Sequence, residues 1–225
     1  MNLREKRKQE QKNILEGRRE ETVSRALTCF CKKGIELTTM ADIADYAQIG
    51  VATVYRYFST KENLVMECGM LFWKLAGNRY KNLTEEEGFS HKTGLSQVES
   101  LLRITEDIFR ENKLIFKFLH DFDVYISCHQ IEQEKMLQYE ALIDGMKPVL
   151  CDAIKTGKAD GTIKSHADTQ EIYYTLTHTV LSLMQKLAGL GTLLSTDGVV
   201  KDEKRLNLLI TLLLGGLSQE KTHME

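Results

Sequence analysis

A single proline stands in the 225 residues of this chain. Proteins built of many strands and tight turns use proline at turn corners, so its scarcity excludes a turn-rich β architecture and favours long helices. Cysteine is also sparse: five residues, Cys29, Cys31, Cys68, Cys128 and Cys151, scattered and without a C-x-x-C pair. An odd, scattered set excludes a disulfide frame and a zinc site of ordinary spacing, and it fits reduced thiols in a cytoplasm. Long apolar runs are missing too. The longest nearly continuous one, Leu206 to Leu217, falls short of the ~18 to 20 residues that a membrane span requires. The stretch Arg4 to Lys12 is charged and polar, with nothing like the apolar region of a secretory signal. No glycine-rich phosphate loop, nucleophile elbow, metal motif or obvious carboxylate pair is present. The expectation is a soluble cytoplasmic protein that is not an enzyme, with no catalytic residues, no cofactor, no metal and no membrane contact.

What is present is helical periodicity and a hidden charge asymmetry. The formal net charge is −2, yet Met1 to Lys61 holds 12 Lys/Arg against 8 Asp/Glu, a surplus of +4 that leaves −6 for the remainder. A basic head on an acidic body fits a nucleic-acid-facing segment. The polar residues 1–13 have too few apolar side chains to pack, so they read as a flexible basic arm or a frayed helical extension. Val23, Ala26, Leu27 and Phe30 then form one stripe at i, i+3, i+4, i+7, closed by Lys32, Lys33 and a stop at Gly34. Thr39 and Asp42 resemble a capping box that opens a second short helix, with Ile43, Ala44 and Ala47 inward. Gln48, Ile49 and Gly50 lead to a third, Val51 to Tyr57, whose Val54 and Phe58 face back. Ser59 or Thr60 caps a fourth, longer helix.

Two short helices joined by so brief a turn have the form of a helix-turn-helix. Its logic is a small core that holds one helix at a fixed angle with its outer face free to enter a major groove. That outer face offers Val51, Ala52, Thr53, Tyr55, Arg56 and Tyr57. Tyr55 and Tyr57 cannot both point inward with Val54 and Phe58, because neighbouring helical residues diverge by about 100°.

The stretch TTMADIADYAQIGVATVYRYFSTKENL resembles the DNA-binding signature of the tetracycline-repressor (TetR) family. The matching residues are Thr38, Thr39, Ile43, Ala44, Ala47, Thr53, Val54, Tyr55, Tyr57, Phe58, Lys61, Glu62 and Leu64. The resemblance covers about a quarter of the chain by motif, and a GKADGTIK turn further on looks like the family's own connection. It implies a transcription regulator, by family norm a repressor, in which Thr39, Tyr55, Tyr57 and Lys61 hold phosphates while Ala52, Thr53 and Arg56 face base edges. Two positions depart from the pattern. Gln48 and Ala52 stand where glycine is usual, so a positive φ at Gln48 would cost about 1 to 2 kcal/mol.

The remaining sequence reads as a helical bundle. Its helices run near 95–110, 114–128, 133–156 with a kink at Pro148, 169–194 and 202–217, with Gly157 ending the third. Asp168 and Glu171 resemble a capping box. The last two helices are apolar nearly all round, which marks helices buried on more than one side. A two-fold interface through Leu176, Val180, Leu183, Leu187, Leu206, Leu209, Ile210 and Leu213 accounts for that. Aromatic and histidine side chains recur in the middle helices, and Phe116, His120, Tyr125, Tyr139, Tyr174 and His178 are the candidates for a small-molecule pocket.

The expected fold is therefore all-α: a three-helix helix-turn-helix head at 14–60 behind the arm at 1–13, and a sensing and dimerisation bundle at 61–225. The expected partners are a two-fold-symmetric duplex operator, a second copy of the chain and an unidentified small-molecule effector. The rival reading is a scaffold of the same family that acts through protein partners, without small-molecule induction.

Overall fold

The computed structural model describes residues 2–189 and 198–219, and among these no residue is in a strand. The helices are α1 (Leu3–Lys33), α2 (Met40–Ala47), α3 (Val51–Phe58), α4 (Lys61–Thr84), α5 (Gly94–Glu111), α6 (Lys113–Cys128), α7 (Gln133–Asp144), α8 (Lys147–Ala159), α9 (Thr169–Gly189) and α10 (Asp202–Ser218). The all-α fold expected from the scarcity of proline is the one observed.

Several boundaries differ from the sequence reading. The supposed arm is not a separate segment: residues 3–13 are the first turns of α1, started by a capping box in which Asn2 and Glu5 bond each other's backbone. Local capping and uninterrupted helix-forming residues suffice here, without burial. Pro148 does not kink a long helix. The chain breaks after Asp144, and Pro148 lies in the first turn of α8, where its missing N–H removes no helical bond. The penultimate helix is described only to Gly189, so its expected continuation to Leu194 lies outside the described residues.

The chain divides into two compact units, and not at the seam expected after residue 60. The first unit takes in the chain up to Phe72 together with Asp121–Tyr139; the second comprises Trp73–His120 and the chain from Glu140 onward. Helices α4, α6 and α7 each contribute to both. An apolar stripe tells which way a helix faces, but not where along its length it leaves one core for another.

In the first unit Ala26, Phe30, Ile35, Ile43, Ala44, Val54, Phe58, Leu64, Val65 and Cys68 are buried. These are the stripes of α1 to α4 brought together. Truncating one of the large ones, such as Phe30, removes packing of about 3 to 5 kcal/mol.

In the second unit α5 and α8 approach unusually closely. A methyl group built on Gly94 would overlap the backbone N and Cα of Gly157. Gly157 is thus not a helix stop; it sits inside α8, buried, as the partner of that contact. The following turn completes the joint. The Asp160 carboxylate accepts the Gly94 N–H (2.8 Å), the Thr162 N–H (2.9 Å) and the Thr162 hydroxyl, and Thr162 Oγ1 accepts the Leu95 N–H (3.1 Å). Two free N–H groups at the start of α5 are thereby satisfied by side chains far along the chain. At the start of α9 Asp168 accepts from Gln170 and Glu171, and Glu171 accepts the Asp168 N–H, so that capping box is present.

Candidate nucleic-acid interface

The head is built outward from α1. The α2 helix is tied to it by an ion pair between Lys33 Nζ and Asp42 Oδ2 (2.7 Å), by Lys32 Nζ donating to the Tyr46 hydroxyl (3.3 Å), and by Arg25 donating to the Tyr46 carbonyl (3.5 Å). Thr39 caps α2: its Oγ1 accepts the Asp42 N–H (3.1 Å), and Asp42 Oδ2 accepts the Thr39 N–H and hydroxyl (2.7 Å each). The Lys33 ammonium and these Thr39 bonds hold the Asp42 carboxyl far below the usual carboxylate range. The half-buried carboxylate is thereby held in its charged form and fixes the start of the helix.

The turn that follows reverses the chain through Gln48, whose φ of 57° and ψ of 40° are left-handed. The strain expected from a non-glycine residue at this position is present. Gly50 then precedes α3 with extended backbone and no side-chain cap. Within α3, Val54 and Phe58 are buried. Val51, Ala52, Tyr55 and Arg56 are exposed, and Thr53 and Tyr57 half-buried. Burial at i and i+4 leaves one broad free face, short at its N-terminal end and long at its C-terminal end. The Arg56 guanidinium lies 5.6 Å from the centre of the Tyr57 ring, which stands edge-on to Phe58.

Lys61 opens α4 beside this face, capped at Thr60 rather than Ser59 by the bond from the Asn63 N–H to Thr60 Oγ1 (3.2 Å). The Lys61 ammonium donates to the Glu36 carbonyl (3.3 Å) and lies 5.6 Å over the Tyr125 ring. Burial lowers its pKa, against the opposing pull of Glu36 and Glu62. One donor used leaves two N–H groups for a phosphate oxygen. Thr39 has less to offer, because its hydroxyl proton is given to Asp42.

Beneath the face lies a polar cluster that helical spacing alone does not bring together. The Glu67 carboxylate accepts from Arg19 (2.8 Å) and from Lys135 (2.6 Å), and its side chain is only 14% exposed. The Arg19 guanidinium also stands 5.0 Å from the centre of the Phe58 ring. Burial pushes the Glu67 pKa up, but the bonds from the two cations outweigh it and hold the group below its ordinary value. A depressed folded-state pKa gives stability that is complete above the unfolded value, about 4.3 to 4.5, and is lost as pH falls through the folded one. Glu67→Gln is expected to destabilise the protein by about 3 kcal/mol at pH 7, because two partly buried cations lose their partner. Its stability, measured by urea unfolding, should then fall less than that of wild type between pH 4.5 and pH 3.

Sequence reasoning also placed two residues of this unit elsewhere. Tyr125 and Tyr139 were expected in a ligand pocket. In the structure Tyr125 donates to Glu62 (3.1 Å) and stacks on His129 with ring centres 3.9 Å apart, while Tyr139 lies 5.0 Å from Phe122. Of the other pocket candidates, Phe116 is buried in the second unit against Phe109 (5.3 Å), and His120 is half-buried on the same helix. Tyr174 and His178 are exposed on α9, with ring centres 5.5 Å apart and Lys147 bonded to the Tyr174 hydroxyl (2.9 Å). Tyr125 and Tyr139 thus belong to the first unit and the other four to the second, where Tyr174 and His178 stand together. A cleft of about 490 Å³ in the second unit is lined instead by α5 residues such as Ser96, Arg103 and Asp107, with Leu83 and Lys92.

The expected dimer contacts need a similar correction. Leu176, Val180, Leu187, Leu206 and Ile210 are buried in the second unit's own core. Leu183, Leu209 and Leu213 are half-buried, and Leu208 and Leu212 are 57% and 63% exposed. An apolar helix spends its best stripe on its own chain first; the residues left over form the outer apolar face. Among the described residues no group of His, Cys, Asp and Glu is placed to hold a metal ion, and no helix is long and apolar enough to cross a membrane.

A short helix with a free outer face, backed by a three-helix core and ending beside a basic side chain, is the head of a helix-turn-helix DNA-binding transcription regulator. Residues 23–68 match the family model described as bacterial regulatory proteins, tetR family. That match takes in the end of α1, all of α2 and α3 and the start of α4, the head of the chain. The chain is similar to the HTH-type transcriptional repressor KstR2 of Mycolicibacterium smegmatis, 27% identical over 162 residues, which are 69% of this chain and 72% of the relative. Over 50 residues, 22% of this chain and 24% of the other, it is 46% identical to the HTH-type transcriptional regulator LuxR of Vibrio harveyi. Among solved structures it shares its fold with the ketosteroid transcriptional regulator KstR2 of Mycobacterium tuberculosis, at a TM-score of 0.65, 19% identity, and coverage of 90% of this chain and 96% of that one. It shares it likewise with the regulator FadR from Bacillus subtilis in complex with stearoyl-CoA, at a TM-score of 0.67, 15% identity, and coverage of 88% and 98%.

Proposed function

We propose that this regulator represses transcription in the cytoplasm by binding a two-fold-related duplex operator as a homodimer, and that a small molecule held by its second unit releases it. The observation that carries this reading is the outer face of α3, where Val51, Ala52, Tyr55 and Arg56 stand exposed over buried Val54 and Phe58. In it Arg56 reads a base edge or a phosphate, Ala52 and Thr53 meet base edges, and Tyr55, Tyr57 and Lys61 hold the backbone, while Thr39, its donors given to Asp42, fixes the start of α2.

Two copies are needed to read two half-sites. The leftover apolar residues of α9 and α10 support a partner there: Leu208 and Leu212 lie one turn apart on α10, beside half-buried Leu209 and Leu213. Leu212→Glu is expected to yield monomers at micromolar concentration, because the dimer would bury two unpaired carboxylates. Sedimentation velocity reads the outcome, and a variant that stays dimeric removes this face from the interface.

Release by a small molecule draws on the relatives more than on a cavity. α4 carries Lys61 in the first unit and Trp73 in the second, so a change along this one helix reaches both. Ligand and DNA must then oppose each other by the same factor, typically 5- to 150-fold for a coupling of about 1 to 3 kcal/mol. The experiment is a reporter gene placed behind a duplex that the protein selects, with expression compared in its presence and absence. Long-chain acyl-CoA and steroid compounds are the first effectors to add, with Trp73 fluorescence as the binding signal. Unchanged reporter output with the protein present contradicts repression; a bound compound that leaves DNA affinity unchanged contradicts release.

A further inference from the structure

The 31 residues of α1 are far more than the head requires. Its first buried side chain is Thr22; residues 4–18 are all exposed. At 1.5 Å per residue the stretch from Leu3 to Arg18 extends about 24 Å, the length of about seven base pairs of duplex.

Charge on this extension is sorted by face. At about 100° per residue, Arg4, Arg7, Lys8, Lys12 and Arg18 fall within an arc of about 140°, together with Gln11 and Leu15. Glu10, Glu16 and Glu20 fall outside the arc. Glu5, at its margin, is already engaged in the capping box, its carboxylate accepting the Asn2 N–H (2.8 Å). None of the five cations has an ion pair among the described residues, whereas Arg19 and Arg25 farther along the same helix are paired. A soluble helix ordinarily intersperses its charges and pairs them at i, i+4. Five unpaired cations on one face instead repel one another until an anion lies along them.

The extension also leaves the head at the right place. Arg19, the residue that follows the basic stretch, stands over Phe58, the last residue of α3. The stripe therefore begins beside the end of the helix that enters the groove.

We infer that the N-terminal half of α1 is a second DNA-contacting surface, which lays its basic face along the phosphates flanking the operator half-site. The contact carries no sequence information; it adds affinity and lengthens the footprint. This inference rests on the operator reading above and is separable from it.

The test uses the full chain and two duplexes, the core operator selected from a random pool and the same core with ten arbitrary base pairs added on each side. Wild type should bind the flanked duplex about tenfold or more tightly than the core at moderate salt, with a steeper dependence of affinity on salt. A variant with Arg4→Gln, Arg7→Gln, Lys8→Gln and Lys12→Gln should lose that gain, its salt slope falling by about 0.9 for each phosphate contact given up, while core affinity is retained. Gly17→Pro, which breaks the helix between extension and head, should lose the gain as well, with every charge in place. Lys6→Gln, on the opposite face, should keep it. If wild type binds the core and gains nothing from the flanks, or if the fourfold variant gains as much as wild type, the extension does not contact DNA. If wild type retains no duplex preferentially, the operator reading itself has failed.

Discussion

Alanine at both Tyr55 and Arg56 is expected to remove operator binding at physiological salt while leaving the melting temperature within a degree or two of wild type. Both side chains are exposed on α3, and the core below them is made by Val54 and Phe58. The core does not depend on them, and the one ring contact, Arg56 with half-buried Tyr57, lies at the surface. An arginine bidentate to guanine contributes about 1 to 3 kcal/mol of discrimination. A dimer that uses it twice therefore stands to lose about 2 to 6 kcal/mol on one substitution. The single variants separate the roles. Tyr55→Ala should weaken all duplexes alike, because a phosphate contact carries no sequence. Arg56→Ala should in addition relax preference at particular positions of the half-site. Unchanged base preference in Arg56→Ala would assign the guanidinium to the phosphate backbone.

A large effect on stability is expected from a single methyl group. Gly94→Ala places a Cβ where the backbone of Gly157 already is, at the closest contact between α5 and α8. A clash with the far end of a flexible side chain relaxes cheaply; a clash with the backbone of a packed helix does not. The helices must separate, which also pulls Gly94 and Leu95 away from the Asp160 and Thr162 oxygens that cap α5. A cost of about 3 kcal/mol or more follows, the upper end for overpacked cores. Gly88→Ala is the control, since a Cβ there meets nothing within 4 Å. Urea unfolding should show Gly94→Ala well below wild type and Gly88→Ala close to it. Equal midpoints for Gly94→Ala and wild type would mean that α5 and α8 are not in backbone contact.

The head was legible because its information is local. The stripe Val23, Ala26, Leu27, Phe30, the cap at Thr39 and Asp42, and the inward pair Val54 and Phe58 each follow from spacing along one helix. The left-handed residue at Gln48 was legible too, as a departure from a motif that uses glycine. Contacts between distant segments were not. Nothing in the sequence around Lys135 announces that it shares Glu67 with Arg19, so Asp121–Tyr139 was assigned to the bundle. Tyr125 read as a pocket aromatic when it is bonded to Glu62 at the start of α4. Gly157 illustrates the same limit: within its own helix it resembles a stop, and its true neighbour, Gly94, is 63 residues earlier. The apolar residues of α9 and α10 were recognisable as buried, but periodicity does not say whether the burying surface belongs to the same chain or to a second copy.

The most direct test of the DNA-reading head is selection of duplexes from a random pool by the purified full chain, followed by sequencing of what it retains. The expected result is one enriched motif made of two related half-sites in two-fold symmetry, bound more weakly as salt rises and lost in the Tyr55→Ala, Arg56→Ala double variant. A retained pool with no sequence preference, or one unchanged by that double variant, would contradict a reading head on α3 and favour a helical scaffold that acts through protein partners.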